Sequence, residues 1–289
     1  MSQNDFPALD PQALADTRDA CHAYASVLGA WTASCRPRRK HWWQLSLRPS
    51  LNGVTTGVID ADGVHFELEL DLMNNCARGA IAGGASFTQP LGKQTVDELA
   101  NAIRRYLLEG GVNEKFAPDG SSGGGHEPLD GSVRPGYDAD MAARFSSVWR
   151  GVSAALSTFR AGIPEETSPI MLWHGHFDLA MMWLPGEKIA GQDPANEEYS
   201  DKQMNIGFTF GDASIPEPYF YITAYPLPDG FPRLQLPGQA TCHSEGFQGA
   251  VLRYEALNAV ADPEAELVAL WQFLVDAGRK QMLEKHEGA

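Results

Sequence analysis

From His65 to Leu72 the chain alternates without a break. Phe66, Leu68, Leu70 and Leu72 fall on one side, and His65, Glu67, Glu69 and Asp71 on the other. A period of two fits a half-buried strand and excludes a helix over the same residues. A strand with one apolar face needs a cover. Four stretches have the period and the ends of amphipathic helices that would provide it. Asp10-Pro11 places a capping carboxylate before a proline at the first helical position, ahead of Leu14, Cys21, Tyr24, Leu28 and Trp31. Thr95-Val-Asp-Glu98 is a capping box. Leu99, Ile103 and Leu107 follow it, and Gly110-Gly111 marks an end. Asp138 precedes Met141, Phe145, Val148, Val152, Leu156 and Phe159 on one helical face. Asp262-Pro263 leads into Leu267, Leu270, Trp271, Leu274 and Val275, with Gly278 as the expected stop.

Further strands are expected at His41–Arg48, Ile170–Trp183 (as one strand or a pair broken near Ala180), Tyr219–Tyr225 and Gly246–Tyr254. The fold class is therefore α+β: antiparallel sheet covered by four main helices, in one globular unit. Residues 10–111 and 138–280 run through similar element orders, so a duplicated α-β-β-β-α unit is one reading and chance likeness of amphipathic helices is the other. Residues 112–137 between them contain Asp119-Gly-Ser-Ser-Gly-Gly-Gly and read as a flexible linker. No strand feeds that stretch and no Gly-Lys-Ser/Thr ends it, so it is no phosphate loop.

With 22 Lys+Arg against 37 Asp+Glu the net charge is −15. That balance argues against nucleic acid and anionic membrane surfaces as partners. No apolar run is long enough for a membrane span, and no basic, apolar leader opens the chain. Cys21, Cys35, Cys76 and Cys242 form no close pair motif. If Cys21 and Cys35 share one helix they lie about 21 Å apart, beyond disulfide reach. Scattered thiols of this kind predict a reducing, cytoplasmic setting. No G-x-G-x-x-G follows a strand and no G-x-S-x-G occurs, so neither a nucleotide cofactor nor an α/β-hydrolase elbow is expected.

The residues with chemistry cluster in short motifs. In Trp173-His174-Gly175-His176-Phe177-Asp178, a strand would put His174, His176 and Asp178 on one face, with the two histidines about 6.6 Å apart. Such a pair could hold zinc or iron with a further ligand from His41, Glu67, Glu69, Asp71 or His243. The alternative is that both histidines hydrogen-bond in a polar pocket or face solvent. His41-Trp42-Trp43 would turn one tryptophan to the core and one to a ligand, and simple core packing accounts for either ring as well. Tyr219, Tyr221 and Tyr225 share a face that would suit a binding wall or a half-buried sheet.

These blocks, in order, resemble a known family. His41-Trp42-Trp43, Thr55-Thr56-Gly57, Phe66-Glu67-x-Glu69-x-Asp71, Phe177-Asp178-Leu179-Ala180, Tyr199-Ser200, Tyr219-Phe220-Tyr221 and Ala224-Tyr225-Pro226-x-Pro-x-Gly230-Phe231 are similar to the bacterial family filed as domain of unknown function 5996. The likeness spans roughly Ala13 to Gly278. It implies a single full-length unit and no assigned activity. Members of that family tend to carry Trp-Gly-Ser where this chain has His174-Gly175-His176, so the resemblance gives a metal pair no support as a family trait.

The expected function is a small-molecule enzyme, hydrolytic in one version. His176, Asp178, His41 and Glu67 are its candidate catalytic groups, Trp42, Trp43, Trp173 and Tyr221 its candidate ligand contacts, and His174 with His176 the candidate metal pair. The rivals are a non-catalytic small-molecule-binding protein and a structural or interaction protein with an acidic surface.

Overall fold

Asp10 accepts a hydrogen bond from the Gln12 amide at 2.9 Å, and helix α1 runs from there over Pro11–Cys35. The capping carboxylate satisfies an amide that has no partner inside the helix, and Pro11 has no amide to satisfy. A computed structural model describes residues 5–119 and 129–283, which divide into two compact units. The Gly/Ser core of the expected linker lies outside the described residues. On its near side Val112 is buried, and on its far side the Tyr137 hydroxyl donates to Asn75 Oδ1 at 2.7 Å.

The first unit comprises Met1–Arg150 and Met171–Asp178. Its sheet contains β1 (Arg48–Pro49), β2 (Gly53–Thr55), β3 (Ile59–Ala61), β4 (Val64–Asp71), β5 (Cys76–Ile81) and β6 (Ser86–Pro90). The order is β1-β2-β4-β5-β6, with β3 also on β4, and every pairing is antiparallel. The expected alternation holds along β4: Phe66, Leu68 and Leu70 are buried. Trp31 of α1 meets Phe66 edge-on, 6.0 Å between ring centres. Asp71 departs from the solvated acidic face. It is fully buried, pairs with Arg78 at 2.8 Å and accepts from the Asn74 amide, so it closes the β4–β5 turn. Helix α2 (Val96–Glu109) has the reciprocal Thr95/Glu98 capping box and buries Leu99, Ile103 and Leu107. Gly111, at φ +97°, turns the chain away after it.

Helix α3 (Ala139–Ala161) starts where the Asp138 carboxylate accepts from the Met141 amide at 2.7 Å. It belongs to the first unit as far as Arg150 and to the second from Gly151. The second unit also contains β7 (Glu166–Thr167), whereas β8 (Met171–Trp173) returns to the first. Then follow β9 (Asp178–Leu184), the short α4 (Glu197–Ser200), β10 (Gln203–Thr209), β11 (Tyr219–Tyr225), β12 (Thr241–His243), β13 (Gly249–Arg253) and α5 (Pro263–Leu283). All but the first residue of β9 belong to the second unit. The sheet order there is β12-β13-β11-β10-β9-β7. Trp271 of α5 packs between Phe159 (5.8 Å) and Phe220 (6.3 Å).

Three expectations need correction. Gly278 does not end the last helix, which continues to Leu283. A Cβ there would sit 2.4 Å from Met204 Sδ, so the glycine serves a close approach to β10. His41–Arg48 is not a strand. Lys40–Leu45 forms a 3-10 turn; of the stretch, Leu47 makes an isolated antiparallel bridge to Leu172 and Arg48 starts β1. Side chains take the place of a ladder there. Gln44 Oε1 accepts from the Arg39 amide (2.8 Å), Thr32 Oγ1 donates to the Leu45 carbonyl (3.1 Å), and Ser46 Oγ donates to the Trp43 carbonyl (2.8 Å). The Ile170–Trp183 run breaks at His174–Phe177, ahead of Ala180.

Candidate functional site

The break at His174–Phe177 removes the geometry behind the histidine pair. The Trp173 carbonyl accepts from the amides of His176 (3.1 Å) and Phe177 (2.7 Å), and Phe177 takes φ +57°. Residues in such a turn do not alternate faces. His174 is buried and His176 exposed, Asp178 is buried at the start of β9, and Trp173 is half-buried. Among the described residues no group of three or more His, Cys, Asp or Glu side chains is placed to hold a metal ion. The zinc or iron site expected at His174 and His176 thus loses its geometric basis.

His174 occupies a tight seat. Its ring lies where a Cβ on Gly29 would be, 2.2 Å from Cγ and Cδ2, and the Ser26 hydroxyl donates to its carbonyl at 3.3 Å. Its Nδ1 is buried without a hydrogen-bond partner among the described residues. Burial, reinforced by the nearby His22 and His176, pushes its pKa down to about 4, so the ring is neutral at pH 7. His22 stacks on Phe177 at 5.3 Å, and Trp149 meets the same ring edge-on at 5.2 Å.

The His41-Trp42-Trp43 segment is the more unusual structure. His41 (φ 50°, ψ 28°) and Trp42 (φ 60°, ψ 23°) are both left-handed, a conformation that costs roughly 1–2 kcal/mol for a residue with a Cβ. The hydrogen bonds from Thr32, Gln44 and Ser46 hold the turn against that cost. His41 is buried and stacks on Trp43 at 6.2 Å. Trp42 is 43% exposed, and the Arg38 guanidinium lies 4.7 Å from its ring centre.

Three further arginines surround this turn in sequence and structure. Arg36 follows α1, Arg39 precedes the turn and Arg48 starts β1. Arg36 donates to the Thr56 carbonyl, which the Thr55-Thr56-Gly57 turn presents, with Gly57 at φ +62°. Desolvation lowers the pKa of Arg36, and the charges of Arg48 and Arg39 lower it further. Arg48 is lowered by desolvation and then by Arg39. Among the described residues no carboxylate pairs with Arg36, Arg39 or Arg48. Arg48 Nη1 and Trp43 Nε1 are buried donors without partners there. On β4, Glu67 accepts from the Thr55 hydroxyl and Glu69 from the Ser50 hydroxyl, each at 2.6 Å.

Sequence reasoning overlooked these arginines. The signal was present as Arg36-Pro37-Arg38-Arg39-Lys40, a dense basic run in a chain of charge −15. Of the expected site residues, His41, Trp42, Trp43, Glu67, Trp173, His174, His176 and Asp178 all belong to the first unit, and Tyr221 belongs to the second. There Tyr221 lies over Gly207 in an aromatic group with Tyr219 and Phe247. A separate cavity of about 260 Å³ in the first unit, lined by Asp16, Asp19, Asp130 and Arg134 among others, contains none of the expected residues.

The model of a family of unknown function (DUF5996) matches residues 6–282. No curated protein and no solved structure matches the chain.

Proposed function

We propose, for a chain that belongs to this family of unknown function, that it binds a small molecule on its first unit, where the Arg36–Ser46 segment meets Thr55-Thr56-Gly57. The observation that carries this reading is the pair of left-handed residues His41 and Trp42. Strain of this kind persists only where surrounding structure enforces it, and it concentrates at ligand sites. Its effect here is to hold an indole half in solvent beside a guanidinium, a surface on which a planar or apolar ligand group can stack. Trp42, Trp43 and His41 provide the aromatic part of the site, and the arginines provide its polar part.

A catalytic version has one observation in its favour. Glu67 is held by the Thr55 hydroxyl at 2.6 Å beside the same turn, a fixed carboxylate of the kind a general base requires. In that version the ligand is a substrate and Glu67→Gln removes turnover without removing binding.

The test is a thermal-shift screen of small molecules on the wild type and on Trp42→Ala. Trp42 makes little core contact, so Trp42→Ala is expected to melt within a few degrees of wild type. Compounds that raise the wild-type melting temperature are expected to lose that effect in the variant. Equal shifts in both proteins would place the ligand elsewhere. Trp42→Gly adds a separate check on the strain: it is expected to gain about 1 kcal/mol, because glycine adopts φ +60° freely.

A further inference from the structure

A folded protein rarely gathers guanidinium groups without countercharge. Arg36 and Arg39 come from the basic run after α1 and Arg48 from β1, where it stands opposite Thr55, next to the Thr56 carbonyl that Arg36 engages; among the described residues no carboxylate pairs with any of the three. Two of them are half-buried, so water screens them less than it screens surface charges. Glu67 and Glu69 on β4 accept from the Thr55 and Ser50 hydroxyls and form no ion pair with these arginines. A buried guanidinium nitrogen left without an acceptor costs free energy, and an anion supplied from outside removes that cost.

We infer that Arg36, Arg39 and Arg48 form a phosphoryl-binding site, in which the guanidinium groups take the oxygens of a phosphate dianion and Arg48 Nη1 gains the acceptor it lacks. The inference rests on the small-molecule reading and narrows its ligand to one bearing a phosphoryl group. A phosphate is preferred to a carboxylate on charge and on acceptor count. It carries nearly two negative charges near neutrality and three terminal oxygens, against one charge and two oxygens, and it faces three cations. Arginine forks match such oxygens in pairs, which lysine cannot do. Trp42, on the same loop, would then carry the remainder of the ligand.

The experiment is calorimetric titration of the purified full chain with inorganic phosphate, phenyl phosphate and acetate, in chloride buffer at matched ionic strength. One phosphate is expected to bind per chain, with acetate at least tenfold weaker. Arg48→Met is expected to weaken phosphate at least tenfold, and so is Arg39→Ala. Arg39 is exposed, so its variant keeps the test valid if the Arg48 variant does not fold. Phenyl phosphate is expected to bind more tightly than phosphate, and Trp42→Ala to remove only that difference. If phenyl phosphate and phosphate bind equally and both depend on Arg48, the site takes free phosphate: the inference holds and the Trp42 reading falls. If apolar compounds bind through Trp42 but phosphate binds no better than acetate or chloride, the inference is overturned and the binding reading survives. Phosphate binding unchanged in both arginine variants also overturns it.

Discussion

Replacing Gly29 with alanine is expected to lower the stability of the chain by about 1–3 kcal/mol, and valine to cost more. Alanine has the higher helix propensity, so on local grounds alone the exchange would stabilise α1 by nearly 1 kcal/mol. Packing reverses that sign. The new Cβ would lie 2.2 Å from two ring carbons of His174, and neither side has room to yield. Gly29 is buried in the middle of α1, and the ring is fixed by the Trp173–Phe177 turn, whose carbonyl at His174 is held by Ser26. The prediction is specific to one pair and can be tested as one. His174→Ala in the Gly29→Ala background is expected to recover most of the loss, giving a coupling of 1 kcal/mol or more in a double-mutant cycle read by denaturant unfolding. Additive effects would show that the two residues do not constrain each other.

That pair also explains why parts of the molecule could be read from sequence and others could not. Helix starts are short-range devices. Asp10, Thr95, Asp138 and Asp262 each cap an amide two or three residues ahead, and all four act as expected. The β4 alternation is local in the same way. Gly278 failed as a helix stop because its reason lies across the unit at Met204, and local sequence cannot distinguish a terminating glycine from a packing glycine. His174 failed as a strand residue for a similar reason: the seat that takes its ring is Gly29, far away in the chain. Strand β10 was overlooked although it alternates, with Met204, Ile206 and Phe208 on one side and Gln203, Asn205, Gly207 and Thr209 on the other. In the candidate site, His41, Trp42 and Trp43 drew attention by residue type, but their left-handed turn depends on Thr32 and Gln44. The arginine cluster was half legible. Arg36 and Arg39 stand in one basic run, whereas Arg48 joins them only once β1 is formed. The two units each build an antiparallel sheet flanked by helix.

Acid is expected to weaken the fold well before its carboxylates titrate, and His174 is the reason. In the unfolded chain a histidine titrates near 6.5, and in its seat against Gly29 this one is pushed down to about 4. Between those values the unfolded state binds the extra proton and the folded state does not. Stability therefore rises with pH across that window: the contribution is fully present above pH 6.5 and is lost as pH falls toward 4. The gap corresponds to roughly 3 kcal/mol at 1.36 kcal/mol per decade of proton affinity. The strongest opposing candidate acts elsewhere on the scale. Glu165, paired with Arg279 at 2.6 Å and held by Trp183, is pushed down to about 2, so its contribution is present above 4.5 and fades only below that. The interval from pH 6.5 to 4.5 thus isolates the histidine. Denaturant midpoints measured at pH 7.5, 6.5, 5.5 and 4.5 are expected to fall steadily below 6.5 in the wild type. In His174→Gln, which fills much of the same space without a titrating ring, they are expected to stay nearly level over that interval. A wild-type profile equally flat from 6.5 to 4.5 would mean that the proton is accepted in place, and that the Nδ1 left without a partner in the structure is reached by water or by a neighbouring acceptor.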